Sequence, residues 1–406
     1  MTDQPHLKRS LNLTLLTLYG LGTTIGAGIY VLIGKVAGSA GLYAPLSFVL
    51  ASVLVAFSAF SFAELSSRLP RSAGEAVYIR EGFRSEWLAV GIGILVILAG
   101  LVSAAAISRG FVGYFQVLVD LPGWLCIVII VFFLGAVAAW GITESVSLAA
   151  FITLVEVGGL IFVVWIARDS FAALPETWQT LPAASASATW IGVFSGVVVA
   201  FYAFIGFEDM VNVAEEVKDV RRTLPLAIVL TLLATAGLYF LVGLVAVLAV
   251  PVPELAESGA PLALIVERTG SMSGQWISLI AVIAVLNGAF IQIIMASRVL
   301  YGLSEQGWLP AMFATIHPKR RTPVYATVTV SMVVLVFALV MPLETLARAT
   351  SLITLAIFAT VNLALWRIKG RGPAPSGAVE YPRWVSLCGF VACSAVFLAE
   401  VIRLSL

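Results

Sequence analysis

The chain has 406 residues, of which 61% are apolar and only 11% charged, and its mean hydropathy is +1.05. A water-soluble protein of this length needs far more charge to cover its surface, so much of this surface must face lipid. The net charge of +1 argues against a nucleic-acid partner.

Apolar stretches of about 20 residues, the length that crosses a bilayer as a helix, recur along the sequence. Backbone groups in lipid must form hydrogen bonds within their own segment, so each stretch is expected to be helical. We predict eleven spans, at residues 12–36, 42–66, 87–119, 124–141, 147–168, 190–213, 225–250, 275–302, 323–341, 345–366 and 381–403. The gaps between them are too short for a soluble domain, so residues 1–406 are expected to form a single membrane domain.

The basic residues divide unevenly between the two ends of these spans. Of the 23 Lys and Arg residues, sixteen lie in loops on the N-terminal side, five on the opposite side and two within spans. Because basic residues accumulate in cytoplasmic loops, we expect a cytoplasmic N-terminus at the cell's inner membrane. An odd number of spans then places the C-terminus outside. The first span, after Lys8 and Arg9, lacks a cleavage site and is expected to be retained.

Several kinds of chemistry find no support. The two histidines, His6 and His317, lie outside the predicted spans, and Cys126, Cys388 and Cys393 lie in apolar segments without metal-ligand spacing. We therefore expect no metal site, no cofactor and no enzymatic activity. The sequence also lacks a repeated loop of the kind that forms a channel selectivity filter.

The first span carries a cluster of glycines near its middle. Gly22, Gly26 and Gly28 lie there together with Thr23 and Thr24. Glycine permits positive φ and leaves the backbone uncovered, so a continuous helix is weakest at this point. Taken alone, the same spacing favours close helix packing. The absence of a surrounding strand–turn–helix pattern excludes a dinucleotide-binding loop.

The sixth span has a similar interruption, in which Gly206 is followed by Glu208 and Asp209 within an apolar stretch. Carboxyl groups at that depth are costly and indicate a function. Tandem units of five helices have opposite orientations in the membrane, and disrupted helices at matching positions mark a midplane transport site. An unwound helix exposes N–H groups, which suit a carboxylate, and C=O groups, which suit an ammonium group. An α-amino acid has both groups.

Four motifs resemble those of the amino acid–polyamine–organocation transporter superfamily and occur in its order. They are Ile25-Gly-Ala-Gly-Ile29, Leu69-Pro-Arg-Ser-Ala-Gly74, Phe204-Ile-Gly-Phe-Glu208 and Gly307-Trp-Leu-Pro310. The resemblance implies an all-α polytopic membrane protein with a LeuT-like fold of five-plus-five inverted repeats, in which helices 1 and 6 are discontinuous. Repeat one would cover about 12–168, repeat two about 190–366, and a peripheral helix about 381–403. Members usually have twelve spans, and the eleven predicted here include the ten core helices.

The resemblance also implies which residues bind the substrate. The carboxylate would meet backbone N–H groups of Ala27, Gly28 and Ile29, and the ammonium group would meet carbonyls near Thr24 and from Tyr202 to Ile205. Tyr202 or Phe204 would form an aromatic lid, or each would simply pack against other helices. Gln292 aligns with a position that lines the side-chain pocket of relatives, and Asn287 and Gly288 lie on a compatible face. Alternatively, these polar residues form interhelical hydrogen bonds. The full candidate set is Thr23, Thr24, Ile25, Gly26, Ala27, Gly28, Ile29, Tyr202, Ala203, Phe204, Ile205, Gly206, Asn287 and Gln292.

Three acids are candidates for ion coupling or gating: Glu208, Glu156 and Asp209. Glu208 matches a sixth-helix acid that several exchangers of the superfamily use as a proton-sensitive gate. Glu156 stands where some proton-dependent relatives carry a Lys in the place of a sodium ion, so the Lys-based scheme cannot be carried over. Burial disfavours a charged carboxylate, so Glu156 would be able to bind and release a proton. The alternative is a structural salt bridge with Arg109 or Arg298.

These features predict a secondary transporter that moves an amino acid by alternating access, coupled to protons or working by exchange. The alternatives are a polyamine or organic amine transporter of the same fold and a non-transporting amino-acid sensor. The particular amino acid, the choice between proton and sodium, and the oligomeric state do not follow from the sequence. Glu64, Arg68 and Arg298 are expected to form salt bridges that serve as a gate or stabilise the fold, and Glu344 and Arg348, four residues apart, to pair.

Overall fold

The computed structural model of the protein describes residues 11–26, 28–70, 74–140, 146–181, 187–270, 273–317 and 322–405. These residues form sixteen α-helices, and their β structure is limited to an isolated bridge between Leu11 and Val217. The helices are α1 (Leu13–Ile25), α2 (Gly28–Ala40), α3 (Ala44–Arg68), α4 (Gly74–Phe83), α5 (Glu86–Leu118), α6 (Gly123–Trp140), α7 (Val146–Ile166), α8 (Leu174–Thr180), α9 (Ser187–Tyr202), α10 (Val220–Ala249), α11 (Val252–Glu257), α12 (Pro261–Arg268), α13 (Gln275–Glu305), α14 (Val324–Val340), α15 (Leu343–Lys369) and α16 (Arg383–Ser405).

Eight of the described helical segments are long and apolar enough to cross a membrane, or up to nine if the bent pair Ala150–Ile166 and Arg168–Thr177 is one span. This confirms the prediction of an all-α polytopic membrane protein. Each of the eleven predicted spans coincides with helix in the structure. The structure gives fewer spans than the eleven predicted for two reasons. Helices α1 and α14 are too short to be counted as spans, and a 3₁₀ turn, Gly41–Tyr43, joins α2 to α3 in one continuous helical stretch.

Local sequence explains where several helices begin. The Asn12 side chain accepts a hydrogen bond from the Leu15 N–H at 2.9 Å and caps α1. Ser85 caps α5 in the same way through the Leu88 N–H. A cap satisfies one of the N–H groups that the first helical turn leaves without a partner, so these residues fix the start of each helix.

Helix packing places the two predicted interruptions at the centre of the bundle. The α1–α2 pair contacts α7, α9 and α10, and α5 packs along the length of α13. The α11–α12 segment lies over the end of α2, where the Lys35 ammonium donates to the Ala256 carbonyl at 2.6 Å. The fold therefore brings the ends of α1, α2 and α9 together beside the α5–α13 pair.

Candidate functional site

The first interruption lies between α1 and α2. Helix α1 ends at Ile25, and Gly26 leaves the helical conformation with φ 12° and ψ −120°. The Thr24 hydroxyl donates to the Gly20 carbonyl at 2.7 Å, one turn back along α1. Helix α2 begins at Gly28, so its first N–H groups have no partner within the helix. Ala27, predicted to bind the substrate carboxylate, lies outside the described residues.

The second interruption follows α9. The chain turns after Tyr202 and continues as a 3₁₀ helix from Phe207 to Glu216. Gly206 connects the two with φ +127°, a conformation that side chains with a Cβ rarely adopt. Its N–H donates to the Glu208 carboxylate at 2.8 Å. The predicted discontinuities in helices 1 and 6 are thus both present in the structure.

The two interruptions touch through their backbones. A Cβ on Gly206 would lie 2.3 Å from the Thr23 carbonyl oxygen, and a Cβ on Gly28 would lie 2.6 Å from the Ala203 Cα. The Thr23 hydroxyl lies 3.0 Å from the Gly206 carbonyl and can donate to it. The Tyr239 hydroxyl lies 3.1 Å from the Thr24 carbonyl and 2.8 Å from the Ala203 carbonyl. These contacts join four helices at one point.

Beside this contact lies a small cavity. Its walls come from the ends of α1, α2 and α9 on one side and from α5 and α13 on the other. The lining residues are Thr23, Thr24, Gly28, Ser103, Ile107, Tyr202, Ile205, Gly288, Ile291 and Gln292.

The cavity collects part of the predicted substrate site. The predicted residues that line it are Thr23, Thr24, Gly28, Tyr202, Ile205 and Gln292. The other described members belong to the interruptions or to α13 but not to the lining; they are Ile25, Gly26, Ile29, Ala203, Phe204, Gly206 and Asn287. The sequence reasoning did not select Ser103, Ile107 and Ile291, and only the packing of α5 against α13 reveals them.

The structure separates the two candidate aromatic residues. Tyr202 lines the cavity, and its hydroxyl lies 3.0 Å from the Ser103 hydroxyl. Phe204 is buried, and the centre of its ring lies 5.0 Å from that of Tyr239 on α10. It therefore packs against α10 rather than facing the cavity. Of the two, Tyr202 is the residue placed to contact a bound molecule.

Glu156 on α7 is a fully buried acid close to the first interruption. Neither of its carboxylate oxygens has a hydrogen-bond partner within 3.5 Å among the described residues. Tyr30 of α2 and Tyr239 of α10 lie near it, and the Asn287 side chain of α13 lies close enough to stabilise its charged form, although not within that hydrogen-bond geometry.

The predicted alternative, a salt bridge of Glu156 with Arg109 or Arg298, is absent from the described residues. The Arg109 guanidinium instead donates to the Ala338 carbonyl at 2.8 Å, and Arg298 is exposed. The prediction of a structural ion pair is therefore wrong for the observed arrangement, and Glu156 is left as an acid without a basic partner.

A second group of acids lies next to the sixth-helix interruption, on its C-terminal side. Glu208 and Asp209 are adjacent, and both face Glu75 on α4. Asp209 is buried, and one of its carboxylate oxygens has no hydrogen-bond partner among the described residues. Burial raises the pKa of Glu75 above its ordinary value. Since like charges repel, this group favours a state in which at least one carboxyl group holds a proton.

The ion pairs predicted for Glu64 with Arg68 and for Glu344 with Arg348 are present, whereas the predicted salt bridge of Arg298 is absent from the described residues. Glu64 bonds the Arg68 guanidinium at 2.6 Å, and Arg348 bonds Glu344 at 3.0 Å. The sequence did not reveal the partners that extend each pair. Lys369 bonds Glu64 at 2.8 Å, and Glu400 bonds Arg348 at 2.8 Å.

An apolar helical bundle with two interrupted helices facing a central cavity defines a multi-pass membrane transporter. A match to the amino acid permease family extends over residues 11–402, and the chain belongs to that family. This confirms the resemblance to the amino acid–polyamine–organocation superfamily and identifies the protein as a transporter rather than an enzyme.

Three relatives show the range of the family. A branched-chain amino acid permease of Bacillus subtilis is 28% identical over 98% of this chain and 89% of its own length. The vacuolar cationic amino acid transporter 2 of Arabidopsis thaliana is 32% identical over 95% of this chain, which spans 64% of that relative's length. A methylthioribose transporter of Bacillus subtilis is 28% identical over 93% of this chain and 84% of its own length.

Proposed function

We propose that the protein moves a free α-amino acid across the membrane by alternating access, with the cavity between the two interruptions as its substrate site. The observation that carries this proposal is the meeting of both helix breaks at one cavity lined by Thr24, Gly28 and Tyr202. The N–H groups at the start of α2 would bind the carboxylate. The Thr24 carbonyl and carbonyls of the turn from Tyr202 to Ile205 would bind the ammonium group.

The Thr24 carbonyl retains capacity for a substrate even though the Tyr239 hydroxyl, which also lies near the Ala203 carbonyl, is within hydrogen-bond distance of it. A carbonyl oxygen has two lone pairs and accepts a second donor. In this scheme Tyr239 holds the two interruptions at the spacing that the two ends of an amino acid require.

The substrate scheme predicts which analogues compete for uptake. Amino-acid amides and decarboxylated amines are expected to inhibit uptake of the parent amino acid at least about tenfold less well, because they cannot place a carboxylate at the start of α2. Competition with a radiolabelled amino acid in proteoliposomes measures this. Equal inhibition by the amine would contradict the scheme and favour an organic amine transporter. Substrate binding without uptake would indicate a sensor.

We further propose that transport is coupled to protons and that Glu156 carries the proton. Its two carboxylate oxygens are buried beside the first interruption and lack hydrogen-bond partners among the described residues. A charge there is strongly disfavoured unless it is compensated, so loading and release of a proton would follow the opening of the site. Glu208 differs from Glu156 because its carboxylate accepts a hydrogen bond from the Gly206 N–H and so stabilises the second interruption.

The Glu156→Gln variant is expected to bind the amino acid but to lose the pH dependence of uptake, because an amide cannot exchange a proton. Uptake over a pH series, together with binding measured by thermal shift, tests this. Glu86→Gln, at an exposed acid that begins α5, is the matched control and should retain the pH profile. A retained profile in both Glu156→Gln and Glu208→Gln would exclude the two acids as proton carriers.

For placement in the cell we propose the inner membrane, with a cytoplasmic N-terminus. The excess of basic residues in loops on the N-terminal side supports this orientation. The same orientation would place Glu75, Glu208 and Asp209 toward the cytoplasm.

A further inference from the structure

The walls of the cavity point to the class of side chain that the substrate carries. We propose that the protein selects neutral amino acids with apolar side chains and rejects cationic ones. The inference rests on the proposed function and concerns the part of the cavity that faces α5 and α13. The names of the relatives leave the question open, since they include a branched-chain permease and cationic amino acid transporters.

The facing wall is neutral along its length. Helix α5 contributes Ser103 and Ile107, and α13 contributes Gly288, Ile291 and Gln292. None of the described residues that line the cavity carries a charge. Three lining residues are isoleucines, because Ile205 adds a further apolar surface beside the second interruption.

The described charged residues on the neighbouring helices do not line the cavity. Arg109, two residues after Ile107, donates to the Ala338 carbonyl of α14. Glu208 accepts the Gly206 N–H and does not line the cavity. Glu156 is fully buried on α7 and is likewise absent from the lining. A cationic side chain in this wall would therefore lack a counter-charge, while an aliphatic one would gain apolar contacts.

The polar atoms of the wall are also partly paired. The Tyr202 and Ser103 hydroxyls lie 3.0 Å apart, and the Tyr202 hydroxyl lies 3.2 Å from the Ser103 carbonyl. The Gln292 side-chain oxygen points toward Gly100 of α5, since a Cβ at Gly100 would lie 3.6 Å from it. The Tyr202 and Ser103 hydroxyls are therefore engaged with each other, and the three isoleucines supply the apolar surface of the wall.

Competition in proteoliposomes made with the wild-type protein tests the inference. Leucine, isoleucine, valine or methionine is expected to inhibit uptake of a radiolabelled neutral amino acid more than about tenfold better than lysine or arginine. Equal or stronger inhibition by lysine and arginine would overturn the inference and leave the proposed amino-acid transport standing. If no amino acid of either class competes, the proposed function itself fails.

A single change of charge supplies an independent test. Gln292→Glu places a carboxylate in the wall at nearly constant shape and is expected to improve inhibition by lysine about tenfold or more, relative to leucine. Gln275→Glu makes the same change on α13 at an exposed position outside the cavity and should leave the ratio unchanged. An unchanged ratio in a well-folded Gln292→Glu protein would overturn the inference. Thermal unfolding identifies a variant that has not folded, and the wild-type competition then decides alone.

Discussion

Replacement of Gly206 by alanine is expected to lower the initial rate of uptake at least about a hundredfold, because the two interruptions can no longer meet. The residue has φ +127°, where a Cβ is strained, and the added carbon would lie 2.3 Å from the Thr23 carbonyl oxygen. Either Thr23 or the turn after Tyr202 must move, and both line the cavity. Radiolabelled uptake into proteoliposomes measures the loss.

Gly237→Ala on α10 is the control for this substitution. A Cβ at that position would have no neighbour within 4 Å, so uptake should stay close to that of the wild type. Thermal unfolding of both purified variants separates a local effect on the site from a loss of folded protein. Uptake by a folded Gly206→Ala variant within about threefold of the wild-type rate would show that the close approach of the interruptions is dispensable.

The sequence was most informative where the physical demand is local. Lipid requires an apolar helix to satisfy its own backbone, so every predicted span, such as 87–119 or 275–302, coincides with a helix. The glycines in the first span and Gly206 in the sixth marked both interruptions, because a break must occur where the chain tolerates it. The number of separate spans was less secure, since α2 and α3 join without a gap.

The residues of α5 and α13 that line the cavity could not be predicted from local sequence. Ser103, Ile107 and Ile291 lie in uninterrupted apolar helices and resemble residues that only pack. Their position depends on the rotation of α5 and α13 about their axes, which the whole bundle determines. Tyr239 gave no signal either, since a tyrosine in an apolar span is an ordinary packing residue, and only the fold places its hydroxyl between Thr24 and Ala203.

Long-range ion pairs were another limit of the sequence. The pairing of Glu64 with Arg68 is local, but Lys369 is 305 residues away and reaches the same carboxylate from the end of α15. The Tyr381 N–H, in the segment before α16, donates to Glu64 at 3.0 Å. One buried acid therefore links α3, α15 and the start of the last helix.

Replacement of Glu64 by glutamine is expected to lower the free energy of unfolding by about 3 kcal/mol, the lower end of the usual cost of removing one partner of a buried ion pair. The Glu64 side chain is fully buried, and the side chains of Arg68 and Lys369 are only 4% and 5% exposed. Removing the negative charge leaves these two buried cations with Glu380, whose side chain is 52% exposed, as their remaining acidic partner. Thermal unfolding in detergent should show a clearly lower midpoint.

Two comparisons attribute this loss to the two buried cations rather than to altered packing. Glu86→Gln breaks an ion pair with Arg80 whose side chains are 66% and 68% exposed, so the expected change is below about 1 kcal/mol. Adding Lys369→Met to Glu64→Gln removes one of the two buried cations and should recover part of the lost stability. A double-mutant cycle measures this coupling. If the double variant is no more stable than Glu64→Gln, the loss comes from the hydrogen bonds that Glu64 accepts. The Tyr381 N–H would then be the partner that matters.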